Sequence, residues 1–210
     1  MATEVSICNL ALSRSGGGRI QALTEASKEA RECNLHYEFA RDAVLRDFDW
    51  GFASKRATLG LLTDTYTGWT YAYAMPSDYI KIREILDAQS NYTGTYYDVE
   101  DQLYKQAGKP KFEIASNDSG SRPIILTDIA SAEIRYTAKI TDVNAFDSLF
   151  QDALAWRLAA ELAMSLRGKA DERNALLNIY QIAIGNAEGA NASEDNNPQK
   201  EVNSYVRSRG

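Results

Sequence analysis

The single histidine of the chain, His36, is the side chain best suited to act as a general base, and it follows Cys33 by three positions. Residues three apart on a helix share a face, so the Cys33 thiol and the His36 imidazole could form a nucleophile–base pair. The neighbouring sequence offers neither a third group to orient the imidazole nor an oxyanion site. We therefore expect His36 to be a partly exposed helix residue, and Cys33 and Cys8 to be ordinary buried thiols.

Acidic residues are the second source of possible chemistry, because the chain holds 29 Asp and Glu against 23 Lys and Arg. Asp98, Glu100 and Asp101 form a local cluster, but it lacks the glycine spacing of a calcium loop, which favours a solvated loop. One histidine and two separated cysteines are too few for a zinc site. A facing pair of carboxylates would suit glycoside hydrolysis, and the sequence neither marks nor excludes one. We predict no catalytic residue, no metal and no cofactor.

Three consecutive glycines, Gly16 to Gly18, could cradle a phosphate. The Lys-Ser/Thr ending of a phosphate-binding loop is absent, however, and a helical stretch precedes the glycines. We interpret them as the C-terminal stop of a short helix from Val5 to Ser13.

Charge and hydropathy restrict the possible partners. The formal net charge of −6 argues against wrapping of nucleic acid, because counterion release needs clustered Lys and Arg. DNA could still pass nearby without binding. No stretch approaches the roughly 18 apolar residues of a membrane span, and residues 1–12 lack the order of a signal peptide. We expect synthesis in a cytoplasm and no contact with a membrane.

Cys33 and His36 lie within a long predicted helix from Glu25 to Phe48, with Thr24 as a suitable N-cap. Small and apolar residues recur along it every three or four positions. This stripe, called the seam, consists of Ala26, Ala30, Cys33, Tyr37, Ala40, Val44 and Phe48. The seam needs a packing partner along its length, which could be another helix of the chain or a neighbouring copy.

The middle of the chain changes to strand patterns, and eight of its twelve tyrosines lie between Tyr66 and Tyr104. Alternating polar and apolar residues predict strands at 70–74 and 79–86, with a turn at Met75–Asp78 between them. Further short strands are predicted at 96–99, 102–106, 111–115, 123–126 and 132–140. We expect a small antiparallel β-region of about five to seven strands.

From Asp147 the pattern is helical again and apolar nearly all round, which is typical of a helix surrounded by protein. Its stripe includes Leu149, Ala153, Trp156, Ala160 and Ala163. Trp156 and Ala160 join the seam as candidate contacts for helix packing or oligomer formation. A second helix is predicted from about Asp171 to Ala187. The fold class is therefore α+β: a helical bundle from residues 1–55 and 145–189, a β-region inserted at 56–144, and an extended tail at 190–210.

Four segments form a recognisable series. ICNLALSRSGGGRI (Ile7 to Ile20) and EASKEARECNLHYEFARDAVLRDFDWGFA (Glu25 to Ala53) are helical. YAYAMPSDYIKIREI (Tyr71 to Ile85) is a strand pair around a Pro–x–Asp turn. AEIRYTAKITDVNAFDSLFQDALAWRLAAELAMSLRG (Ala132 to Gly168) joins a strand to an Ala/Leu-rich helix. In this order they resemble the head-to-tail adaptor family of short-tailed bacteriophages, also called tail tubular protein A, over nearly the whole chain to about Gly189.

The resemblance implies a structural protein of the virion tail, made in the host bacterial cytoplasm. It implies a homo-oligomeric ring of twelve subunits under the portal protein, with the tail nozzle protein below, tail fibres as further candidate partners, and DNA ejected through the central channel. On this basis we expect the tail of the chain to bind the portal through Val202, Tyr205 and Val206. The seam would then also contact a neighbouring copy.

Two other classes remain open. One is a tail-associated cell-wall hydrolase that uses a carboxylate pair. The other is a monomeric glycan-binding module that uses the tyrosine-rich surface of the β-region, although tyrosines in short strands are usually ordinary β-formers.

Overall fold

The computed structural model describes residues 3–86, 95–98, 103–106 and 110–194, and within these ranges the fold is α+β, as predicted. The helices are α1 (Glu4–Ser15), α2 (Lys28–Asp47), α3 (Ser148–Arg167) and α4 (Ala170–Glu194). The strands are β1 (Ser54–Thr58), β2 (Tyr71–Ala74), β3 (Tyr79–Leu86), β4 (Thr95–Asp98), β5 (Leu103–Gln106), β6 (Phe112–Ser116), β7 (Pro123–Thr127) and β8 (Glu133–Ala138). Helices therefore come from both ends of the chain and strands from its middle.

The helix ends follow local hydrogen bonding. Gly16 ends α1 in the left-handed conformation, with φ of 72°, as its glycine predicts. The long helix begins later than predicted, at the N-cap Ser27, whose hydroxyl accepts from the Ala30 amide at 3.2 Å. Thr24 does not cap it, because the Glu25 carboxylate accepts from the amides of Gln21 and Ala22 and folds that stretch into a turn.

The C-terminal helix is longer than predicted. α4 continues to Glu194, past Gly189 and into the stretch assigned to the extended tail. The remainder of that tail, residues 195–210, lies outside the described residues.

The described strands form two three-stranded antiparallel sheets and a separate hairpin. The first sheet has the order β1-β8-β3 and the second has the order β2-β7-β6, while β4 pairs with β5. β2 and β3 were predicted as a strand pair, yet they lie in different sheets. The turn between them, in which the Tyr79 amide donates to the Pro76 carbonyl at 3.2 Å, carries the chain from one sheet to the other. Alternation identifies a strand but not its partner, which explains the difference.

Two main cores result. α3 packs against α1, α2 and α4 and is buried on nearly all sides. Its buried residues are Phe150, Ala153, Leu154, Ala155, Leu158, Ala159, Ala160, Leu162 and Ala163. A second core lies between the two three-stranded sheets, where Tyr73 and Ile125 of the second sheet pack with Ile82 and Ile134 of the first.

Candidate functional site

Most of the seam is buried within the chain itself, although Ala26 is exposed ahead of α2 and Phe48 is half-buried. Ala30, Cys33, Tyr37, Ala40 and Val44 all lie in the helical core with α1 and α3. Ala160 is buried in the same core, and Trp156 is half-buried beneath Arg14, whose guanidinium carbon lies 3.8 Å from the ring centroid. The sequence left two candidate partners for the seam, another helix of the chain or a neighbouring copy. Helices of the same chain cover its five buried residues, so these five side chains offer no surface to a second copy.

The cysteines and the histidine lie where the sequence predicts. Cys8 and Cys33 are free and buried, and their thiols hydrogen-bond to each other. This hydrogen bond, together with burial, raises the pKa of Cys8, which keeps its thiol protonated and unreactive. His36 is half-buried, with Nε2 3.5 Å from a Glu32 carboxylate oxygen. The imidazole therefore points to a neighbour one turn away on its own helix.

Arg83 joins the helical body to the β-region, which the sequence did not indicate. It is 8% exposed at its side chain, donates to the Trp50 carbonyl at 2.6 Å and to the Thr137 hydroxyl at 3.0 Å, and lies 3.7 Å from Asp49. Three further contacts cross this junction: Lys81 with Asp49 at 3.0 Å, Lys139 with Asp42 at 3.2 Å, and Arg46 with the Ile80 carbonyl at 2.6 Å. The end of α2 is thereby fixed against β3 and β8.

Several tyrosines of the β-region are structural. Tyr73 and Tyr136 are buried, and their hydroxyls donate to the Ile129 carbonyl and to Asp78, each at 2.9 Å. These two tyrosines belong to the core of the β-region and are therefore not part of a glycan-binding surface.

A cleft of 780 Å³ lies between the turn at 75–78 and the turn at 117–122. It is partly open to solvent and is lined partly by Pro76, Asn117 and Arg122. Among the described residues that line it, Asp64 is the one carboxylate. A glycosidase pair needs two facing carboxylates, so this cleft does not supply the arrangement that a hydrolase would use.

The outer face of α2 carries two large apolar side chains that the chain leaves uncovered. Phe39 is 75% exposed and Leu35, one turn earlier, is 57% exposed. Exposed Lys28, Arg31 and Glu38 surround them. We call this set the α2 outer face. Adjacent exposed apolar side chains rimmed by charges are typical of a protein–protein contact.

The outer face of α4 is also apolar, but it is almost uncharged. Ile182 is 63% exposed and Ile179 is 37% exposed, and exposed Gly185 and Gly189 continue the same side of the helix. From Asn174 to Ala190 the sequence contains a single charged residue, Glu188. We call Ile179, Ile182, Gly185, Glu188 and Gly189 the α4 outer face. Depletion of charge at an exposed apolar helix is the composition of an interface centre.

Two predicted sites fall outside the described residues. The portal-binding residues Val202, Tyr205 and Val206 lie in the stretch 195–210, and the side chains of the acidic cluster at Asp98, Glu100 and Asp101 are likewise not described. In the described part of the chain, no group of three or more His, Cys, Asp or Glu could hold a metal ion. No helix within the described ranges is long and apolar enough to cross a membrane.

Comparison with known proteins adds no relative: no protein-family model and no curated protein matches the chain.

Proposed function

We propose that this protein is a ring-forming head-to-tail adaptor of a short-tailed bacteriophage, which joins the portal to the tail nozzle and lines the channel for DNA ejection. The observation that carries the proposal is the series of four segments that resemble this family, in order, along most of the chain. The helical body, built from both chain ends with a β-region between them, agrees with the architecture expected from that resemblance.

The exposed surface supports an assembly role. With most of the seam buried inside one chain, the helical body still exposes Leu35 and Phe39 on α2 and Ile182 on α4. These side chains contribute little inside the monomer, whereas burying one apolar side chain of this size in a contact stabilises it by about 1.5–3 kcal/mol. Repeated around a closed ring, modest contacts suffice to hold the assembly. No turnover is part of this function.

Imaging tests the proposal directly. The purified chain, mixed with the portal protein of its own phage, should give rings that dock on the portal in negative-stain micrographs. Twelve copies of a 23.3 kDa chain would form a ring of about 280 kDa. The portal without the chain is the control. Portal particles that never acquire a second ring would refute the adaptor function.

The tail gives a second test. We predict that removal of residues 195–210 abolishes portal binding and leaves the fold intact, because this polar stretch contains only three sizeable apolar side chains, Val202, Tyr205 and Val206, to bury. The milder variant Tyr205→Ala should weaken binding in the full chain. Circular dichroism verifies the fold, and a truncated protein that still docks normally would contradict the role of Val202, Tyr205 and Val206.

The acidic balance gives a third test. A channel wall with net negative charge should let duplex DNA slide, because bound counterions are not released. The isolated ring should therefore not retain duplex DNA at physiological salt in a filter-binding assay. Measurable retention under that condition would count against the channel role.

A further inference from the structure

The chain contains two cysteines, and the fold brings them into contact. Cys8 lies on α1 and Cys33 lies on α2, and each side chain is fully buried in the helical core. Their thiols hydrogen-bond to each other across the two helices. A disulfide links side chains that are already close in the folded chain, and hydrogen-bonded thiols meet that requirement.

The surroundings of α1 hold the two thiols in place. The Asn9 side chain, next to Cys8, donates to the Ile20 carbonyl and accepts from the Ile20 amide, each at 2.9 Å. Arg14 pairs with Asp152 and attaches the end of α1 to α3. Groups that a fold holds in contact react as if each were present at a very high local concentration. A bond between the two cysteines of one chain is therefore favoured over a bond to a second chain.

The two sulfur atoms differ in reactivity. The Cys8 thiol donates its hydrogen bond to the Cys33 sulfur, and this bond lowers the pKa of Cys33 and raises the pKa of Cys8. A thiolate, and not a thiol, attacks a disulfide. Cys33 is therefore the attacking sulfur, and Cys8 is the sulfur that completes the bond.

We propose that Cys8 and Cys33 form an intramolecular disulfide that joins α1 to α2 when the protein meets a small disulfide oxidant such as oxidised glutathione. The Cys33 thiolate attacks one sulfur of the oxidant, and a mixed disulfide forms while one glutathione leaves with the proton that Cys33 released. Cys8 then attacks the Cys33 sulfur, and its proton leaves with the second glutathione. Two protein thiols thus lose two electrons, and one oxidant molecule is reduced to two thiols.

Burial determines how the oxidant reaches the pair. Both cysteines are 0% exposed, so the reaction requires local opening of α1 away from α2. Opening exposes Cys33, and closing returns Cys8 to the mixed disulfide and expels glutathione. Oxidation should therefore be slow and end in the internal bond. A reducing cytoplasm keeps the pair as thiols, whereas an oxidising medium favours the bond. This site does not depend on the adaptor function, and portal docking is not part of its test.

Intact mass spectrometry tests the bond. The full chain is incubated with oxidised glutathione, unfolded, alkylated with iodoacetamide and weighed. The wild-type protein should lose two hydrogen atoms and take up no alkyl group, and dithiothreitol should restore two alkylated thiols. A non-reducing gel should show a monomer. Two free thiols after prolonged oxidation, a stable glutathione adduct on the wild-type chain, or disulfide-linked dimers would each overturn the proposal.

Single variants test the order of attack. Cys8→Ala should accumulate a glutathione adduct on Cys33, because the sulfur that expels glutathione is missing. Cys33→Ala should remain mostly unmodified, because Cys8 stays protonated. Circular dichroism verifies that both variants are folded, and the wild-type measurement stands without them. An adduct that forms on Cys33→Ala as fast as on Cys8→Ala would contradict the role of Cys33 as the attacking sulfur.

Thermal unfolding tests whether the bond fits the fold. A cross-link that closes a loop of about 25 residues restricts the unfolded chain and should raise the midpoint by about 10 °C in a protein of this size. The oxidised and reduced wild-type proteins are compared, and Cys8→Ala after the same treatment is the control without a rise. An oxidised wild-type chain that melts at the same or a lower temperature would contradict a disulfide that suits the native positions of α1 and α2.

Discussion

At the scale of single residues, Tyr37 shows how the seam is held inside the chain. Its ring is buried in the helical core, and its hydroxyl lacks a hydrogen-bond partner among the described residues. A buried polar group without a partner contributes nothing to stability and carries a desolvation cost. The ring, and not the hydroxyl, therefore stabilises the contact of α2 with the rest of the core.

Substitution of Tyr37 should separate the two parts of the side chain. Tyr37→Phe is expected to leave the free energy of unfolding unchanged or slightly raised, because it removes only the unpartnered hydroxyl. Tyr37→Asp should lower it by about 3 kcal/mol or more, since it buries an unpaired charge in place of the ring. Urea unfolding followed by circular dichroism measures both. A Tyr37→Phe variant as unstable as Tyr37→Asp would contradict this account.

Alkaline pH should destabilise the protein through its buried tyrosines. Burial raises the pKa of Tyr37 and, with the hydrogen bond to Asp47, that of Tyr180, while burial and the bond to Asp78 raise the pKa of Tyr136 to about 12. A raised folded-state pKa gives stability that is complete below the ordinary value of 10.0 and is lost as the pH rises towards the folded-state value.

The expected slope is about 1.4 kcal/mol per pH unit for each buried tyrosine once the unfolded chain is ionised. Urea unfolding between about pH 8 and pH 11 should therefore show a decline that begins near the ordinary tyrosine pKa. Tyr37→Phe should make this decline shallower by the contribution of one buried tyrosine. Tyr71→Phe, at a half-buried site, is the control and should leave the slope unchanged. Parallel slopes for Tyr37→Phe and the wild-type protein would argue against this origin.

At the scale of elements, helix glycines differ in what they do. Gly185→Ala should stabilise the isolated chain by about 1 kcal/mol, because the position has ordinary helical geometry and open space. Gly16→Ala should destabilise it by about 1 kcal/mol, because its φ of 72° disfavours a Cβ. The midpoints of thermal unfolding of the two variants should therefore shift in opposite directions. Shifts of the same sign and size would contradict the different roles given to Gly185 and Gly16.

The sequence predicted elements well and contacts between elements poorly. The α3 helix and β3 follow from periodicity, and Gly16 follows from its position after a helix. β1 was not predicted, because Lys55 and Arg56 face solvent and no alternation marks the strand. The separation of β2 and β3 into two sheets also depends on pairing with β7 and β8, which are more than thirty residues away along the chain.

The candidate surface shows the same limit. The buried side of α2 was visible as a stripe of small residues, and its need for a partner was correctly inferred. The structure shows that α1 and α3 cover the seam. Because the seam faces inward, Leu35 and Phe39 are exposed, and the sequence alone did not indicate this. The sequence shows that α4 is almost uncharged from Asn174 to Ala190. Which side of this helix is exposed, however, follows only from the packing of its other side against α3.

At the scale of the whole molecule, one buried arginine connects the helical body and the β-region. Arg83 on β3 donates to the carbonyl of Trp50, just beyond α2, and to Thr137 on β8. Burial lowers the pKa of Arg83, and the Asp49 carboxylate opposes that shift. The buried positive charge is therefore stabilised by Asp49 and by the two hydrogen-bond acceptors. The other links are the apolar contacts of Ile80 and Ile140 with the helical core and partly exposed ion pairs, and ion pairs of that kind contribute little.

We therefore expect Arg83→Met to uncouple the two parts. Loss of hydrogen bonds from a charged group costs about 2 kcal/mol, which corresponds to about 30-fold faster hydrogen exchange where the opening is local. Exchange followed by mass spectrometry should show this acceleration in β3 and β8, while α3 stays protected. Arg56→Met, at an exposed site on β1, is the control and should change neither. Equal acceleration in β8 and α3 would mean that the molecule opens as one unit and that Arg83 is not the joint.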